Sequence, residues 1–197
     1  RNLNKKQLEK GVITSSAGNH AQGVALSAQK LNCKATILMP VTTPIVKINA
    51  VRDLNAEVIL YGENYDDSYI EAVRLSEERN LAFIHPFDDP DVIAGQGTIG
   101  IELMSQFGKS PYSIYIAVGG GGLIAGISTY IKNLYPNIKI IGVEPEDAAA
   151  MTRSLKENKI IKLKNVGLFA DGVAVKTVGK QTFEIAKKYV DKMITVN

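Results

Sequence analysis

The feature that most restricts the fold of this chain is a repeated change in apolar period. Short apolar runs, GVITSS, KATILMP, EVILYG and LAFIHP, alternate with stretches whose apolar residues recur at helical spacing. Ala21, Val24, Ala25 and Ala28 share one face of a helix predicted from about Asn19 to Lys30. Pro40 stops the second run, and Pro44 is expected within the first turn of a helix through Leu54, where a missing N–H is harmless. A charged amphipathic helix is predicted from Asp66 to Glu78. Up to His85 the order is βαβαβαβ.

The segment PFDDPDV, with two prolines and three acidic residues, reads as a boundary or hinge. Beyond it the pattern resumes: a helix from about Val92 to Phe107, the strand SIYIAV, four glycines, and a helix from Leu123 to Leu134. The strand IKIIGVEP, a helix around Ala148 to Glu157, the aperiodic LKNVGLFADGVAV, a helix from Thr177 to Tyr189 and the strand KMITVN complete the chain. Strands alternating with helices require parallel sheets covered on both faces. The expected fold is α/β, with two doubly wound parallel-sheet units at residues 1–88 and 89–197, the second incomplete.

Composition excludes several functions. The 197 residues carry 23 basic and 20 acidic side chains with no run of one sign, which provides neither a nucleic-acid stripe nor a membrane-docking face. The apolar runs are too short to span a bilayer. Two histidines, His20 and His85, argue against a histidine-built metal site. The lone Cys33 reads as a structural thiol and fits a reducing compartment, so a cytoplasmic setting is expected. RNLNKKQLEK has no apolar core and does not read as a signal peptide.

Two strand-to-helix turns carry the chemistry. TSSAGNHAQG, Thr14 to Gly23, gathers Ser15, Ser16, Gly18 and Asn19 where free N–H groups of a first helical turn favour an anion. A plain N-cap needs only one such residue. VGGGGLIAG, Val118 to Gly126, places four glycines between an apolar strand and an apolar helix, where each opposes helix by about 1 kcal/mol relative to Ala. A backbone wrapped around a phosphate explains them. Gly120, Gly122 and Ala125 also fit the G-x-G-x-x-A dinucleotide pattern, with Glu144 near the expected ribose position. That alternative, an oxidoreductase fragment, leaves the SSAGNHAQG loop without a role. A noncatalytic phosphate-binding module is a third reading.

Taken together, GVITSSAGNHAQGVA, PFDDPDVIAGQGT, VGGGGLIAG and VGLFADGVAVK, in this order, resemble the fold type II (tryptophan synthase β) family of pyridoxal-phosphate (PLP) enzymes, and within it the biosynthetic threonine deaminases. The resemblance covers essentially the whole chain. It implies PLP as cofactor, an amino-acid substrate, a homo-oligomeric parent enzyme and a role in isoleucine biosynthesis. Asn19 resembles the family asparagine that hydrogen-bonds the PLP ring hydroxyl. Gly119, Gly120, Gly121, Gly122 and Leu123 match its phosphate loop. Ser16, Ala17, Gly18, Asn19 and His20 match the loop that receives the substrate carboxylate, with His20 supporting the loop rather than acting as a base.

Two departures bear on the choice within the family. Ala17 stands where serine racemases carry a second serine, and an alanine cannot move a proton. Glu144 and the Ala148 carbonyl fit a divalent-metal pattern, but Ala150 replaces its aspartate, so no metal is expected. A serine dehydratase or racemase relative is therefore the further alternative. The family's Schiff-base lysine lies in a motif expected upstream of Arg1, so no catalytic residue is assigned within the chain. These 197 residues alone are expected to bind PLP or phosphate weakly without turning over threonine. Lys5, Lys6, Lys10, Lys47 and Lys176 are expected to face solvent. The second unit's apolar strand edges are expected to favour association.

Overall fold

A computed structural model describes residues 2–167 and 169–197 and divides the chain into two compact units meeting at Pro86 and Phe87. In the first unit the elements are α1 (Lys5–Lys10), β1 (Val12–Ser15), α2 (Asn19–Lys30), β2 (Ala35–Met39), α3 (Ile45–Arg52), β3 (Glu57–Leu60), α4 (Tyr65–Glu78) and β4 (Ala82–Phe83). The four strands form one parallel sheet in the order β3-β2-β1-β4.

Every residue of β1 and β2 is buried, as expected for central parallel strands covered on both faces. Side chains alternate across the pleat. Val12, Ala35, Ile37 and Met39 pack with Ala21, Val24, Ala25 and Ala28 of α2 and with Ile48 and Val51 of α3. Ile13 and Leu38 turn the other way, onto Ala72 and Leu75 of α4. Burying each of the larger aliphatic side chains among these, the Val, Ile, Leu and Met, contributes about 1.5–3 kcal/mol. The unit is doubly wound, as the alternation requires.

The second unit contains α5 (Pro90–Gln106), β5 (Ser113–Ala117), α6 (Gly122–Leu134), β6 (Lys139–Pro145), α7 (Ala150–Lys156), α8 (Lys180–Tyr189) and β7 (Lys192–Val196). Its parallel sheet runs β5-β6-β7, with register Ile116↔Gly142 and Gly142↔Met193. One core joins Ile116, Val118 and Ile140 to Ile124, Ile127 and Ile131 of α6, Met151 of α7, and Phe183 and Ala186 of α8. Helices α5 and α6 approach so closely that a Cβ on Gly126 would strike the Ile93 carbonyl oxygen, and one on Gly100 would come within 2.9 Å of the Tyr130 ring.

The structure corrects several expected boundaries. Pro44 is the N-cap of α3 rather than a first-turn residue, and the helix stops at Arg52 because Asn55 takes a left-handed φ of 61°. The fourth strand keeps only Ala82–Phe83. A 3-10 turn, Glu146–Ala148, precedes α7, and α8 begins at Lys180, after Gly179, rather than at Thr177. The aperiodic LKNVGLFADGVAV contains a 3-10 turn at Asp171–Val173, and its Leu168 lies outside the described residues.

Glu144, at the end of β6, is fully buried, and its carboxylate accepts hydrogen bonds from the N–H groups of Met151 (2.8 Å) and Thr152 (2.7 Å) and from the Thr152 hydroxyl (2.6 Å). Burial pushes this carboxyl above its ordinary value, while the Thr152 and Met151 donors pull it back. A raised carboxyl stabilises the fold most below its unfolded pKa, and that contribution is lost as pH rises through the folded value. The unfolding free energy of wild type relative to Glu144→Gln is expected to fall between acid and neutral pH in urea titrations; a flat or rising difference would refute the shift. Gly126→Ala is expected to lower stability by about 1–3 kcal/mol through overpacking, read from the urea midpoint.

Candidate functional site

In the first unit, the loop Ser16–Gly18 follows β1 at the carboxyl end of the sheet, where open α/β folds bind ligands. Its shape is held by one bond within the loop and by contacts of the flanking chain with β2 and α4. The Gly18 N–H donates to Ser16 Oγ (3.2 Å), the Ser16 N–H donates to the Leu38 carbonyl, and Ser15 Oγ meets Ser68 Oγ at 3.0 Å. Gly18 is the N-cap of α2 and provides no side-chain acceptor for the first-turn N–H groups. Asn19 is exposed, and its side chain makes no hydrogen bond among the described residues.

His20 is half-buried, with Nε2 3.1 Å from Thr14 Oγ1. The Thr14 hydroxyl donates to the Ile84 carbonyl at 2.7 Å, so its proton is committed and the imidazole Nε2–H must be the donor. That nitrogen is not available as a base. Two hydroxyls at the same end of the sheet, Thr43 Oγ1 and Tyr65 OH, are buried without a hydrogen-bond partner among the described residues. Burial pushes the Tyr65 phenol up, with Tyr69 and Asp66 adding to the effect. Neither residue stands out in the sequence; in the structure Tyr65 opens α4 directly behind its N-cap, Asn64.

In the second unit, the glycine loop joins β5 to α6. Gly120, Gly121 and Gly122 are buried, and Gly119 and Leu123 are half-buried. Gly121 is the N-cap at φ 97°, a left-handed conformation that favours glycine. Among the described residues the N–H groups from Gly120 to Leu123 reach no acceptor; the first bond of α6 runs from Ala125 to the Gly121 carbonyl. Buried N–H groups are rarely left unpaired. A converging set at a helix start suits an anion, so the loop fits a cofactor phosphate.

The loop is tightly enclosed. A Cβ on Gly120 would fall within the Phe87 ring, one on Gly122 would come 3.0 Å from Phe87, and one on Gly119 would come 2.9 Å from Val173 Cα. The Gly120 carbonyl accepts from Thr182 Oγ1 (2.7 Å) and the Gly179 N–H (3.1 Å). These neighbours were not singled out from the sequence. Phe87 and Val173 fall within the PFDDPDVIAGQGT and VGLFADGVAVK segments, while nothing in the sequence pointed to Gly179 or Thr182.

Four other helices, α4, α5, α7 and α8, have their N-termini filled by the chain, whereas α3 starts at Pro44 with no side-chain cap among the described residues. Asn64 caps α4, Asp89 caps α5, and the Asp88 carboxylate accepts from the N–H groups of Lys180, Gln181 and Thr182 at the start of α8. Glu144 serves α7, so both its oxygens are engaged there and not available for a ribose or a metal ion. Lys5, Lys6 and Lys10 are exposed as expected, whereas Lys47 and Lys176 are half-buried.

A family described as pyridoxal-phosphate dependent enzyme matches residues 1–197. The chain is 56% identical over 195 residues to biosynthetic threonine dehydratase 2 of Solanum lycopersicum, covering 99% of this chain and 33% of the relative. It is 53% identical over 193 residues to biosynthetic L-threonine dehydratase of Burkholderia multivorans, covering 96% and 38%. It thus spans about a third of the length of such relatives. The solved structure of the processed form of threonine deaminase isoform 2 from Solanum lycopersicum superposes with a TM-score of 0.93 at 56% identity, covering 99% of this chain and 57% of that one. With its parallel α/β units and anion-ready glycine loop, this chain belongs to the family of pyridoxal-phosphate dependent enzymes.

Proposed function

We propose that this chain contributes the phosphate and carboxylate loops of a PLP-dependent threonine deaminase that converts L-threonine to 2-oxobutanoate and ammonia in isoleucine biosynthesis. The observation that carries this reading is the contrast among helix starts. α4, α5, α7 and α8 receive side-chain acceptors, whereas among the described residues α2, α3 and α6 have none; the first turn of α3 is exposed at Ile45 and Val46, while α2 and α6 begin at the two loops in question and the α6 start is buried. Each open start offers N–H groups and a positive helix end to an anion.

The N–H groups of Gly119–Leu123 hold the cofactor phosphate. Those of Ser16–His20 hold the substrate carboxylate, and the Asn19 amide orients the cofactor ring through its hydroxyl. When bound, PLP supplies the electron sink for the pair released from the substrate Cα–H bond. Fixing the carboxylate restricts rotation about the Cα–carboxyl bond and holds the amino acid in one orientation, an entropic contribution to rate. His20, donating to Thr14, keeps the loop in shape, and Ala17 provides no proton donor on its side of the substrate, which favours elimination over racemisation. Loss of water and its later return leave the balance of threonine against 2-oxobutanoate plus ammonia. A small-molecule substrate and a homo-oligomeric enzyme follow from this reading. The expected cytoplasmic setting rests on the single cysteine, although the tomato relative is named chloroplastic.

Assay of the holoenzyme carrying this sequence is expected to give 2-oxobutanoate and ammonia from L-threonine in equal amounts. Racemised serine without 2-oxobutanoate would overturn the reading. Asn19→Ala is expected to reduce PLP affinity about tenfold to a hundredfold, the worth of a hydrogen bond to a charged group. Because Asn19 is exposed, its unfolding free energy should stay within about 0.5 kcal/mol of wild type. Unchanged affinity would remove Asn19 from the cofactor site.

A further inference from the structure

The direction of a phosphate-loop N–H is set by the peptide that contains it. The Gly120 carbonyl and the Gly121 N–H belong to one planar trans peptide and point in opposite directions. Whatever anchors the carbonyl therefore aims the N–H. The anchor is α8: Thr182 Oγ1 donates to the Gly120 oxygen at 2.7 Å in a buried contact, and the Gly179 N–H adds a second bond at 3.1 Å. The Gly121 N–H is thereby turned away from α8, and it reaches no acceptor among the described residues.

α8 is in turn fixed at its start. Asp88 accepts from the N–H groups of Lys180 (2.9 Å), Gln181 (2.8 Å) and Thr182 (3.2 Å), and its carbonyl accepts from Gln181 Nε2 at 3.2 Å. The preceding residue, Phe87, lies directly against Gly120 and Gly122. The PFDD segment thus does two things at once: its ring covers the glycines, and its carboxylate seats the helix that holds the Gly120 carbonyl.

We propose that Thr182, seated by Asp88, is a positioning residue that presets the Gly121 N–H for the cofactor phosphate. This rests on reading the glycine loop as the phosphate site. A preset N–H binds an anion without first reorienting a buried peptide, so removing the hydroxyl should weaken binding of the phosphate specifically.

Affinity for PLP and for pyridoxal, which lacks the phosphate, separates that role from a general structural one. In the purified protein, Thr182→Val is expected to lower PLP affinity about tenfold. Pyridoxal affinity should remain within about twofold, and Thr182→Ser, which keeps the hydroxyl, should recover most of the loss. Asp88→Asn, with a weaker cap, should fall between wild type and Thr182→Val. Equal losses for PLP and pyridoxal, or a valine variant that binds PLP like wild type, would overturn the proposal. Wild type binding PLP no better than pyridoxal would instead refute the phosphate reading, and this inference with it.

Discussion

Backbone N–H groups at helix starts are the constraint on which the rest of this structure depends. A helix leaves its first N–H groups without internal partners, and where they are buried something must satisfy them. Here carboxylates do so repeatedly: Asp89 for α5, Glu144 for α7 and Asp88 for α8. At the starts of α2 and α6 no side chain of the described residues meets that demand, which leaves their N–H groups open to an anion. Burial together with the lack of a side-chain acceptor sets the α6 start apart from the exposed, uncapped start of α3.

Steric exclusion explains why the open end of α6 cannot close on itself. At α6 the N-cap must be glycine because of its left-handed backbone, and its neighbours must be glycine because Phe87 and Val173 occupy the space a Cβ would need. No side chain remains there to provide a cap. At α2 the cap position is again glycine, and the nearby Ser16 hydroxyl is turned to the Gly18 N–H instead of the helix. Glycine therefore serves two ends: it permits close packing and it withholds a competing acceptor.

The supporting network behind each loop lies largely outside the motifs themselves. His20 holds its place through Thr14, whose hydroxyl is tied to Ile84 across the sheet, while Thr182 and Gly179 hold Gly120 from a helix sixty residues further along the chain. Glu144 is the instructive case. Its position after an apolar strand matches a ribose or metal ligand, yet full burial beside the α7 start commits it to the fold.

The sequence by itself determined the parallel α/β class, the helix faces such as Ala21, Val24, Ala25 and Ala28, and the two strand-to-helix turns at Ser16–Gly18 and Gly119–Gly121, because apolar period and glycine clustering are local properties of the chain. Element ends were less legible: α3 stops at Arg52 and α8 starts at Lys180 according to turn geometry and a carboxylate donated from Asp88. Which polar groups are engaged and which are open was decided only by tertiary structure. Asp88, Thr182 and Glu144 are ordinary residues along the chain and acquire their roles from partners brought beside them by folding, since hydrogen bonding depends on distance in space and not on separation in sequence.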